Sequence, residues 1–173
     1  MTNTGFESGI TEWTTFTGTE NITSDAFAGA NALALSANGA GVDQSFSVVA
    51  GETYTLSTYG KTSTDDWSGV GLRFYDAQWN ELGSAETQID SSNWTEYTVD
   101  AIAPTGAVNG ILWAWKGGDT GTTTLDEFGV SGATPPPPPT TGELLSNPGF
   151  VSGLARWDVF SNTETTTGVN AFE

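Results

Sequence analysis

The sequence predicts an all-β fold, a sandwich of two antiparallel sheets, on three observations. Short runs rich in β-branched and aromatic residues are separated by Gly, Asn and Asp turns in a chain that carries 22 glycines. No long segment repeats its apolar residues at the 3, 4 and 7 spacing of a helix face. Where a run is long enough to judge, apolar and polar residues alternate, as they do on a strand that buries one side.

The predicted strands, in chain order, are 32–36, 42–49, 53–62, 70–76, 95–103, 110–116 and 122–131. The run 53–62 is the clearest, with Tyr54, Leu56 and Thr58 on one face and Ser57, Tyr59 and Lys61 on the other. In 70–76, Val70, Leu72 and Phe74 form an apolar face opposite Arg73 and Tyr75. In 110–116, Trp113 and Trp115 alternate with Leu112 and Ala114, so both Trp rings project to one side. Seven strands of this spacing suit a two-sheet sandwich.

Composition narrows the chemistry. A net charge of −17 opposes binding to phosphate backbones and to anionic membrane surfaces, so neither nucleic acid nor membrane is an expected partner. No run approaches the roughly 18 apolar residues of a membrane span. Without Cys or His there are no disulfides, no thiolate chemistry, no ordinary zinc set and no Ser-His or Cys-His nucleophile. The acidic excess suits hard cations such as Ca²⁺, although most of these carboxylates read as plain solvated surface. Met1 leads into Thr2-Asn3-Thr4-Gly5 without a basic, then apolar, leader, so the chain reads as a mature or excised piece.

Residues 1–133 form the expected module, and 134–142 a linker, because Pro135 to Pro139 favour extended polyproline II and cannot donate to a sheet. Residues 143–173 repeat the opening of the chain. Asn3-Thr4-Gly5-Phe6-Glu7-Ser8-Gly9 with Trp13 and Phe16 is matched by Asn147-Pro148-Gly149-Phe150-Val151-Ser152-Gly153 with Trp157 and Phe160. This is the arrangement of tandem modules, the second represented by its opening alone.

The opening motif from Asn3 to Trp13 is followed by Ala30-Asn31-Ala32-Leu33, Gln44-Ser45-Phe46, Gly51-Glu52-Thr53-Tyr54, Trp94-Thr95-Glu96-Tyr97 and Leu125-Asp126-Glu127-Phe128. In that order and spacing these residues resemble the carbohydrate-binding modules of the family 4/9/16/22 type. The resemblance implies a jelly-roll sandwich, a structural Ca²⁺, a polysaccharide partner, and a secreted or cell-surface setting. It places Glu7 and Asp126 at calcium-ligating positions, with backbone oxygens near Asn3, Gly5 and residues 28–30 completing the shell. Asp65, Asp66 and Asp119, in expected loops, are reserve ligands. Trp13 and Trp94 match structural positions and are expected in the core.

Sugar sites need flat rings to stack on pyranose C–H faces and a few fixed polar groups. Seven Trp and four Tyr exceed what this core requires. Trp113 and Trp115 are the first candidates, as a binding platform or as core. Trp67 and Trp79, in an expected loop and turn, are candidates by exposure or cover the sandwich ends. Lys61 and Arg73, with Tyr59 and Tyr75 beside them, are expected on adjacent strand faces as a polar floor. No acid/base pair of the kind glycoside hydrolysis needs is recognisable, so the chain is not expected to be an enzyme. The competing expectation is a structural or adhesive repeat, self-associating head to tail when 143–173 of one chain donates a strand to the next.

Overall fold

The computed structural model describes residues 1–133. The linker and the second opening lie outside the described residues, and with them the expectations placed on 134–173.

Ten strands form two antiparallel five-stranded sheets: β1 Thr14–Thr15, β2 Asn21–Thr23, β3 Ala32–Leu35, β4 Gly41–Ser47, β5 Thr53–Thr62, β6 Ser68–Tyr75, β7 Glu81–Gln88, β8 Thr95–Ile102, β9 Asn109–Lys116 and β10 Thr123–Ser131. The first sheet runs β1-β4-β9-β6-β7 and the second β2-β3-β10-β5-β8. Successive strands from β3 to β6, and again from β7 to β10, alternate between sheets, which makes the sandwich a jelly roll.

All seven predicted strands are present, each shifted at its ends by no more than about two residues. β1, β2 and β7 were not predicted. β1 and β2 are too short to show a period. β7 turns only Gly83, Ala85 and Thr87 partly inward and leaves Ser84, Glu86 and Gln88 exposed, the composition of a free edge.

The core lies between the sheets. β6 contributes Val70, Leu72 and Phe74, β5 contributes Tyr54 and Leu56, and β9 contributes Leu112 and Ala114. Across one end Phe6, Trp13 and Phe128 pack ring on ring at 5.1 to 5.9 Å. The Trp13 indole donates to the Asn3 carbonyl at 3.0 Å. β10 carries a one-residue bulge between Asp126 and Gly129, with Glu127 at φ 52. The extra residue lets both Leu125 and Phe128 point inward although they are three apart.

Candidate functional site

Parity fixes the site. Because Leu112 and Ala114 face the core, Trp113 and Trp115 stand on the outer face of the first sheet. Register then defines that face. Gly41, Trp115, Gly69 and Gln88 lie in one row across β4, β9, β6 and β7, and Asp43, Trp113, Gly71 and Glu86 in the next. Ser45, Ile111, Arg73 and Ser84 follow.

Three glycines make room for rings on this face. A Cβ at Gly69 would collide with Trp67, one at Gly71 would lie 2.7 Å from Trp113 Cζ2, and one at Gly41 would lie 2.6 Å from Phe16 Cδ2. Each ring therefore lies against strand backbone that only glycine leaves bare. Trp67 packs on Trp115 at 5.5 Å and on Trp113 at 6.4 Å between centroids. The Arg73 guanidinium sits 5.2 Å from the Trp113 ring centre, a cation–π contact. Phe16, Trp67, Arg73, Glu86, Trp113 and Trp115 line a groove of about 310 Å³.

The loops that carry these rings are tied down. Glu20 Oε1 accepts hydrogen bonds from the backbone of Phe16, Thr17 and Gly41 at 2.8 to 3.2 Å, fixing the turn that presents Phe16. Burial alone would push the Glu20 carboxyl up, but these bonds outweigh it and hold it below its ordinary value. Lys116, fully buried, donates to the carbonyls of Gly117 and Gly118 at 3.2 and 2.9 Å and lies 3.6 Å from Asp66. Asp66 in turn accepts the Thr120 hydroxyl and N–H, which hold its carboxyl below the usual range, with Lys116 adding to the effect. Gly117 donates to the Trp67 carbonyl at 2.8 Å, so the same network seats Trp67.

The face carries one cation, Arg73, among two carboxylates, Asp43 and Glu86. Arg73 stands near Asp43, whose carboxyl burial pushes up while the Thr14 hydrogen bond and Arg73 pull it back. Glu86 lines the groove beside Arg73. Among the described residues, the Trp113 indole N–H and Glu20 Oε2 are the buried side-chain polar atoms that lack a hydrogen-bond partner. The first belongs to a ring that lines the groove, but the nitrogen itself is buried.

The other expected site residues distribute differently. Lys61 and Tyr59 are not beside Arg73 and Tyr75, because β5 and β6 belong to different sheets and the two pairs face opposite sides of the sandwich. Lys61 pairs with Asp25 at 2.7 Å and lies 4.8 Å from the Trp94 ring centre. Tyr59 stacks on Phe27 at 3.6 Å. Trp94 is likewise not a core residue. It is half-buried beside Phe27 on the outside of the second sheet, since it precedes Thr95, the partner of Gly60, and so shares the parity of Lys61. Trp13 is in the core as expected. Trp79 is exposed in the β6–β7 turn, against Tyr75 at 5.6 Å. Asp43, Glu86 and Phe16 were not singled out by sequence, because only strand pairing brings them to the rings.

Glu7 and Asp126 meet around one loop. Asp126, wholly buried, accepts N–H bonds from Phe27, Ala28 and Glu127 at 2.8 to 3.0 Å. Glu7 Oε1 accepts those of Ala30 and Asn31 at 2.9 and 3.0 Å. These bonds leave Glu7 Oε2 and a lone pair of Asp126 Oδ1 uncommitted. A Cβ at Gly5 would lie 2.7 Å from Glu127 Oε1 and 3.6 Å from Asp126 Oδ1, so the Gly5 backbone runs beside Asp126 Oδ1 and one further acidic oxygen. Carboxylate and carbonyl oxygens are the ligand type that Ca²⁺ prefers. The polar groups of Asn3 are engaged in hydrogen bonds within the opening loop. Its side chain bonds Ser8, Gly9 and Thr11, and its carbonyl accepts the Phe6 and Trp13 N–H groups. Among the described residues no three Asp, Glu, His or Cys side chains cluster as a metal site, so carbonyl oxygens would complete any shell. Asp66 and Asp119, the latter bonded to the Asn38 N–H at 3.0 Å, serve as loop ties.

No known protein-family profile matches the sequence, and no curated protein matches it. Solved structures do. A family 16 carbohydrate-binding module superposes with a TM-score of 0.62 at 18% identity, covering 75% of this chain and 96% of that one. The CBM22-1 xylan-binding domain of Paenibacillus barcinonensis Xyn10C gives 0.56 at 19%, covering 76% and 93%. The enzymatically active domain of bacteriophage CBA120 tailspike protein 4 gives 0.67 at 18%, covering 77% of this chain and 21% of that one. The chain thus spans about a fifth of the tailspike domain and nearly all of the two modules. At these identities the likeness defines the fold, which is the jelly-roll sandwich of carbohydrate-binding modules.

Proposed function

We propose that the chain is a non-catalytic carbohydrate-binding module of a secreted multi-modular protein, and that its sugar site is the outer face of the first sheet. The observation that carries this reading is the set of rings on that face. Phe16, Trp67 and Trp113 lie over glycines on the side of the sheet away from a core that is already complete. A purely structural sheet has no use for a paved outer surface. Rings offer the stacking surface, while Asp43, Glu86 and Arg73 offer partners for hydroxyls.

The charges favour a neutral polysaccharide over an anionic one, because Arg73 already has carboxylates beside it and the chain as a whole repels polyanions. Catalysis forms no part of this reading: Asp43 and Glu86 stand three strand spacings apart across the face, about 14 Å between backbones at ~4.8 Å per strand. At the other site, Ca²⁺ held by Glu7, Asp126 and the Gly5 carbonyl would fix the loop 27–31 against the second sheet.

The test is retention in affinity gels and on a glycan array. Retention of the folded chain on at least one neutral polysaccharide is expected. Folded protein retained on none would favour a structural or adhesive repeat instead.

A further inference from the structure

Tyr75 and Trp79 play no part in the groove around Trp67 and Trp115, yet they lie on the same side of the same sheet. Tyr75 shares the outward parity of Gly69, Gly71 and Arg73 on β6. Trp79 packs against it with the rings tilted by 49° at 5.6 Å and remains 53% exposed. The turn that presents Trp79 is built at a cost. Trp79 takes φ 64, a left-handed conformation that a bulky side chain rarely adopts. Asp76 holds it there, accepting bonds from Gln78 N, Asn80 N and Asn80 Nδ2 at 2.8 to 2.9 Å, while the Asp76 carbonyl accepts the Trp79 N–H at 3.1 Å. The Asn80 bonds keep the Asp76 carboxyl below its ordinary range. A rigid turn that holds a tryptophan out in water is a presenting device, not a core anchor.

Resting on the sugar-binding reading above, we infer that Tyr75 and Trp79 form a second stacking platform, and that one linear neutral polysaccharide chain engages both platforms. Gly69, beneath Trp67, and Tyr75 are six residues apart on β6, about 20 Å at ~3.3 Å per residue, a span that a disaccharide cannot bridge and that about four pyranose rings can. Between the platforms the face is a row of Ser45, Ile111, Arg73 and Ser84, followed by Ser47 and Asn109 beside Tyr75. Those side chains supply hydrogen-bonding partners along the track and no ring that would stop a chain.

The experiment uses the full chain and a panel of xylan, mixed-linkage β-glucan and β-1,4-galactan in affinity gels. Calorimetry then follows the oligosaccharide ladder of the best-retained polymer, from disaccharide to hexasaccharide. Affinity is expected to climb until both platforms are filled. Trp79→Gly, which removes the ring and relieves the positive φ, is expected to weaken hexasaccharide binding roughly fivefold to tenfold and to leave the disaccharide unchanged. Trp115→Ala is expected to weaken both. Affinity that levels off at the trisaccharide, or a Trp79→Gly hexasaccharide affinity equal to that of the unaltered chain, overturns the inference and leaves the first platform standing. Loss of self-association in place of sugar affinity, read by sedimentation velocity, overturns it in favour of a docking surface for a second copy. If the unaltered chain is retained on none of the polymers, the sugar-binding reading falls and this inference with it.

Discussion

Truncating the two tryptophans of β9 separates a ring that mainly holds the sheet from one that mainly holds ligand. Trp113 is 5% exposed, pinned between the Gly71 backbone and the Arg73 guanidinium. A buried Trp→Ala change costs about 3–5 kcal/mol in a closed core. On this outer face, where the space opens to water, about 2–3 kcal/mol is expected, or a fall of roughly 6–12 °C in melting temperature for a domain this size. Trp115 is half-buried and rests on Trp67 and the Gly117 backbone, so Trp115→Ala is expected to cost only about 1 kcal/mol of stability. Its larger effect is on binding, where losing a stacking ring weakens sugar affinity by about 1–3 kcal/mol. Thermal melts by circular dichroism and affinity electrophoresis well below the melting range measure the two effects separately. A Trp115→Ala protein with full affinity, or one that unfolds while Trp113→Ala stays intact, would refute the assignment of faces.

Calcium is expected to raise the melting temperature, since a ligand at a hundred times its Kd adds about 2.7 kcal/mol to the native state; Glu7→Gln and Asp126→Asn should each shrink the increment, and a melt indifferent to chelator would remove the metal from the account. Acid should loosen the ring-bearing loops. Glu20 and Asp66 titrate below their ordinary values of 4.5 and 3.8, so each adds stability that is present above those values and lost as pH falls through the lower folded ones. Asp43, pushed up by burial, works weakly the other way. Melting temperature and affinity are therefore expected to hold from neutral pH to about 4.5 and to fall below about 4; stability that rises steadily on acidification would contradict the roles given to Glu20 and Asp66.

Much of the fold was legible because a strand writes its buried face at period two. The parity of β5 and β6 read from sequence is the parity observed, with Tyr54, Leu56, Val70, Leu72 and Phe74 inside. In β9 the same rule placed Trp113 and Trp115 together but left their direction open, because Leu112 and Ala114 opposite them are also apolar. Glycine decides it. Gly69 and Gly71 alternate with Val70 and Leu72 on β6, and once β6 pairs with β9 only the glycine side has room for indoles.

Lys61 and Arg73 were expected on adjacent strand faces; consecutive strands are often neighbours, but the jelly roll sends β5 and β6 to opposite sheets. Phe16, Asp43 and Glu86 reach the site through pairing between distant segments, which one sequence does not encode locally. The φ of Trp79 carries no sequence signal, since a Trp in a turn reads the same whichever backbone region it occupies.

The most direct test of the central claim follows the indole N–H resonances of the full chain by nuclear magnetic resonance during titration with the polysaccharide that retains it best. Trp67, Trp113 and Trp115 should shift together and saturate with one affinity, with the half-buried Trp67 and Trp115 moving furthest because their rings reach solvent. Trp13, in the core, and Trp94, on the opposite sheet, should stay still. Shifts confined to Trp94, with the three groove indoles unmoved, would place the sugar on the other side of the sandwich and contradict the account.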